Sequence, residues 1–63
     1  MRKSTYLFEA MDGAGRVVRR CSQRCDGVSA QQRAVGILSA TPDAAAVFGF
    51  ERKGRQVHSA YRD

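Results

Sequence analysis

Only one stretch of this chain carries a helical repeat, and that narrows the available folds sharply. From Ser29 onward, Ala30, Ala34, Ile37 and Leu38 recur at i, i+4, i+7 and i+8, with Val35 beside them and Gln31, Gln32 and Arg33 turned away. This spacing keeps one stripe of a 3.6-residue helix apolar. Ser29 with Gln32 three residues later fits a capping box, which predicts a helix from Ser29 to about Ser39 or Ala40. Gly36 inside it costs about 1 kcal/mol of propensity relative to alanine, so it marks either a close approach to a neighbour or a tolerated imperfection.

The flanking segments alternate instead. Residues 4–11, Ser-Thr-Tyr-Leu-Phe-Glu-Ala-Met, place Tyr6, Phe8 and Ala10 on one face and Leu7, Glu9 and Met11 on the other. The first of these faces is the expected core. Asp12-Gly13-Ala14-Gly15 tolerates positive φ and reads as a hairpin turn into a second strand, Arg16 to Ser22. Val17, Arg19 and Cys21 share one face of that strand, and Val18, Arg20 and Ser22 the other.

After the helix, Thr41-Pro42-Asp43 could open a short helix or turn directly into a strand. Val47-Phe48-Gly49-Phe50-Glu51 favours a strand from about Ala46, with Phe48 and Phe50 on one face. Arg52-Lys53-Gly54-Arg55 then turns into Gln56 to Tyr61, which sets Val57, Ser59 and Tyr61 against Gln56, His58 and Ala60. A single helix among four strands must cover one face of their sheet, because neither surface can be buried alone. The expected architecture is therefore α+β: a ββαββ chain whose four-stranded antiparallel sheet carries one helix packed on one face. Residues 1–63 form one small basic domain. The two hairpins are loosely alike, which falls short of an internal repeat.

Sixty-three residues bury only about 60% of the surface an unfolded chain exposes, so a homodimer or another partner is one way to complete the stability of such a domain. The chain has no apolar run long enough for a membrane helix. Its start meets Glu9 and Asp12 before any signal-peptide core could form, which gives the expectation of a cytoplasmic protein without a membrane partner.

Eleven Lys and Arg against six Asp and Glu give a net charge of +5, which favours anionic partners. Nine of the eleven are arginine, whose fork can grip phosphate at two points. Arg16, Arg19, Arg20 and Arg24 cluster on and after the second strand, and Arg52, Lys53 and Arg55 decorate the second hairpin turn. With the hairpins side by side, these seven residues would form one positive rim for nucleic acid or for an acidic protein surface. A two-stranded ribbon can enter a DNA major groove, and an outward Tyr6 or Tyr61 could stack on single-stranded bases. The alternative is a small accessory or inhibitory module, of the kind phages and mobile elements encode, docking on a larger protein. That analogy rests on size and charge alone.

Other chemistry finds little support. Cys21 and Cys25 with His58 supply three soft ligands where zinc wants four, although Asp26 could be a fourth. Two ordinary thiols, with Cys21 half-buried in a strand and Cys25 in a loop, are the expectation, and no metal or cofactor is implied. His58 and Ser59 point to opposite faces of a strand, so they form no dyad, and His58 is expected to be an exposed polar residue. Gly13 and Gly15 are followed by no Gly-Lys-Ser/Thr and read as turn residues rather than a phosphate loop. A binding domain, not an enzyme, is expected.

Overall fold

The computed structural model describes residues 3–62. The chain runs β1 (Ser4–Met11), β2 (Val17–Cys25), α1 (Gly27–Ala40), β3 (Ala46–Glu51) and β4 (Gln56–Tyr61). The four strands form one antiparallel sheet in the order β2-β1-β3-β4, an open α+β fold with a single helix. Among the described residues, no helix is long and apolar enough to cross a membrane.

The core lies between α1 and one face of the sheet. Ala30, Ala34, Ile37 and Leu38 are the buried residues of the helix, so the helical stripe faces inward as its spacing predicts. They meet Phe8 and Ala10 of β1, Val47 of β3 and Ala60 of β4. Phe8 and Val47 are the largest fully buried side chains, and alanine supplies much of the rest. Val35, beside the stripe, stays 49% exposed. Gly36 has open space where a Cβ would stand, so it marks no close approach.

The register shows which face of each strand enters this core. Phe8 pairs with Gly49, and Ala10 with Val47, while Gly49 pairs with His58 and Val47 with Ala60. Paired residues project to the same side of a sheet. Phe48 and Phe50 therefore do share a face, but it is the face away from the helix. A Cβ on Gly49 would stand 3.0 Å from the ring of Phe8, so the missing side chain is what admits that ring.

Three sequence-based expectations shift. The helix begins at Gly27 and its N-cap is Asp26, not Ser29, because the Asp26 carboxylate accepts a 2.7 Å hydrogen bond from the Ser29 amide. The second strand continues three residues beyond Ser22, which brings Cys25 into a strand end where it is 4% exposed, rather than into a loop. His58 is half-buried on the helix side instead of exposed: its ring meets Tyr6 edge-on at 5.4 Å, and Gln31 Oε1 accepts from its Nδ1 at 3.2 Å.

Candidate functional site

Two turns with the same construction set the ends of the sheet. In Asp12-Gly13-Ala14-Gly15-Arg16, the Asp12 and Gly15 amides donate to the carbonyls of Arg16 and Asp12 at 2.9 and 3.0 Å. In Glu51-Arg52-Lys53-Gly54-Arg55, the Glu51 and Gly54 amides repeat these bonds to Arg55 and Glu51 at 2.9 and 2.8 Å. Gly15 and Gly54 take φ of 83° and 89°, the left-handed residue of a three-residue hairpin loop. Each loop is also closed by an ion pair between its first and last residues, Asp12–Arg16 at 3.3 Å and Glu51–Arg55 at 3.5 Å.

Because β1 and β3 are antiparallel neighbours, the two turns lie at opposite ends of the sheet. The seven basic residues are therefore not brought into one rim. Arg16 sits at the end where β1 finishes. Arg19 and Arg20 lie midway along β2 on opposite faces, Arg20 on the face away from the helix and opposite Glu9, to which it donates at 2.7 Å. Arg24, paired with Thr5, lies at the far end of β2. There it shares a depression of about 360 Å³ with Arg52 of the second turn, lined also by Lys3, Ser4 and Thr5.

Charge pairing separates these residues further. Among the described residues, ion pairs hold Arg16, Arg20 and Arg55, while Arg19, Arg24, Arg52, Lys3 and Lys53 have no carboxylate within 4 Å. The three paired arginine side chains remain 61% to 81% exposed, and such surface pairs contribute only about 0–1 kcal/mol each, so an incoming anion can compete for them. Arg62 instead serves the fold, since its guanidinium donates to the carbonyls of Leu38, Thr41 and Ala44 and satisfies acceptors at the C-terminal end of α1. Arg33 donates to Gln23 Oε1 at 2.7 Å and ties the helix to β2.

The sheet face away from the helix is covered by no other element of the described chain. Leu7, Glu9 and Met11 of β1 lie across from Phe50, Phe48 and Ala46 of β3, and Phe48 and Ala46 from Ser59 and Tyr61 of β4. Leu7, Met11, Phe48 and Phe50 are half-buried and Tyr61 is 66% exposed. Phe48 and Tyr61 meet edge-to-face at 5.8 Å. A second, larger depression of about 620 Å³ opens on this face, lined by Thr5, Leu7, Glu9, Ser22, Phe50, Glu51, Arg52 and Gly54. It shares Thr5 and Arg52 with the cationic depression, so an apolar floor and a cationic cleft adjoin.

Sequence reasoning singled out Arg24, Arg52 and Lys53 but missed Lys3, Glu9, Phe48 and Phe50 as parts of one surface. The repeated acid-x-x-Gly-Arg pattern of the two turns was the available signal. Two such hairpins joined in one antiparallel sheet send their tips in opposite directions.

The cysteines lie four residues apart on β2, a separation of about 13 Å at strand rise, beyond disulfide reach. Both are free thiols. Among the described residues, no group of three His, Cys, Asp or Glu side chains is placed to hold a metal ion. Comparison with known protein families, curated proteins and solved structures finds no match to this chain.

Proposed function

We propose that this domain binds single-stranded nucleic acid across the uncovered face of its sheet, without catalysing a reaction. The observation that carries this reading is the adjacency of Phe50 and Leu7 to the Lys3, Arg24 and Arg52 cleft, on a chain of net charge +5. Bases stack on Phe48, Phe50 and Tyr61, since base–aromatic stacking tolerates any sequence and contributes about 1–3 kcal/mol per base. Phosphates lie on Arg24, Arg52 and Lys53 and exchange for the Glu51 carboxylate on Arg55. Arg16 and Arg19 lie outside this surface, one at the opposite end of the sheet and one on its other side. A strand spread over this surface uses all its groups, whereas a duplex would expose phosphates but hide its bases.

The outer edge of β2 favours a second reading. It exposes Val17 and Val18 at 39% and 42% next to Arg19, and a free strand edge accepts another strand. An acidic protein segment, or β2 of a second copy in a homodimer, could add there.

Fluorescence anisotropy with a short labelled single strand separates the two. The nucleic-acid reading expects Arg24→Glu with Arg52→Glu to weaken binding more than tenfold while circular dichroism stays unchanged. Retained affinity in that folded double variant, or capture of one acidic protein that survives nuclease, contradicts it.

A further inference from the structure

The larger depression contains something that a general phosphate-binding surface does not need. Its wall includes two carboxylates, Glu9 and Glu51, although the adjoining cleft is lined by three cations. A carboxylate repels a phosphate, so these groups suit the other end of a nucleotide. Glu9 is the better placed: its side chain is only 16% exposed, and Arg20 Nε holds Oε2 at 2.7 Å, which fixes its direction and leaves Oε1 and a further lone pair of Oε2 as acceptors. Glu51, at 37%, stands at the rim beside the turn. Leu7 and Phe50 are cross-strand partners and make the apolar floor between them.

An ionised carboxylate can only accept hydrogen bonds. Guanine presents two adjacent donors, N1–H and the N2 amino group, which match the two oxygens of one carboxylate. Adenine and cytosine offer one amino group next to a ring acceptor, which a carboxylate repels, and uracil offers one N–H between two carbonyls. The base that fits a carboxylate-walled, apolar-floored depression is guanine. Thr5 and Arg52 line both depressions, so a phosphate in the cleft and a base on Phe50 can belong to the same nucleotide.

We infer that the two adjoining depressions form a guanine-selective nucleotide subsite, with the phosphate among Lys3, Arg24 and Arg52, the base on Leu7 and Phe50, and Glu9 accepting from its Watson–Crick edge. This inference rests on the single-strand reading above and adds selectivity to it. A carboxylate wall also excludes phosphate from the base site, so it sets the orientation of the nucleotide as well as its identity.

The test uses the unmodified protein and uridine hexanucleotides that carry one guanine, one hypoxanthine or one adenine at the same internal position, beside the all-uridine strand. The guanine strand should bind about tenfold more tightly than the adenine strand, with hypoxanthine, which lacks the amino group, between them. Glu9→Gln should remove most of that preference, and Glu51→Gln should change it much less. Equal affinities for the guanine and adenine strands overturn the subsite and leave the single-strand reading standing. No binding to any of the four strands overturns that reading, and the subsite with it.

Discussion

Gly49 decides which face of β3 enters the core. Both faces of Ala46–Glu51 carry apolar residues, and the more hydrophobic one, with Phe48 and Phe50, is left outside. The Phe8 ring needs the space beside Gly49, where an added Cβ would also stand 3.1 Å from His58 Cβ. Gly49→Ala should therefore destabilise the domain by about 1–3 kcal/mol, as overpacking does. Gly36→Ala, on an open helix surface, should stabilise it by up to about 1 kcal/mol. Denaturant titration of the two variants checks both signs. At this scale the Tyr6, Phe8 and Ala10 face was legible from alternation, because Glu9 marks the opposite side. The orientation of β3 was not, since alternation shows which residues share a face but not which face meets the helix.

The elements themselves were largely readable, and the misplaced boundaries have local causes. Ser29 and Asp26 are both good caps, and Gly27 and Val28 between them carry no helical stripe, so periodicity could not choose the earlier start. The geometry does, through the 2.7 Å bond to the Ser29 amide. That hydrogen bond is the main reason the Asp26 carboxyl is held below its ordinary 3.8. Asp12 is held below 3.8 in the same way, chiefly by the Arg16 amide and further by that of Ala14 in the first turn. Both carboxylates bind their proton less readily folded than unfolded. Their contribution is thus fully present above the unfolded value and is lost as pH falls through the lower folded values. Unfolding free energy should decline on acidification below about pH 4. Asp26→Asn, which can still cap but carries no titrating carboxylate, should make that decline shallower. Denaturation curves from neutral pH into the acid range give the comparison, and an unchanged acid limb would remove Asp26 from the account.

Over the whole molecule, the sheet order turns a diffuse positive charge into a localised one. Composition alone gives +5 and invites the picture of one continuous rim. The antiparallel join of β1 and β3 separates the two turns, commits Arg62 to the helix end, and leaves Lys3, Arg24 and Arg52 around one depression. No inspection of arginine spacing could reveal this, because it depends on which strands are neighbours. If a single strand makes about four phosphate contacts here, its affinity should fall by roughly 50-fold between about 50 and 200 mM salt, whereas a purely apolar docking face would be nearly indifferent. Phe50→Ala should weaken binding by about 1–3 kcal/mol with little change in that salt slope, since it removes stacking and no charge.

The most direct measurement is an amide chemical-shift map of the labelled protein titrated with a single-stranded oligonucleotide. Our account expects perturbations at Thr5, Leu7, Glu9, Arg24, Phe48, Phe50 and Arg52, and quiet amides at Gln32, Val35 and Ser39 on the outer side of α1. Shifts confined to the helix or to the outer edge of β2, or a spectrum that does not change, would contradict it.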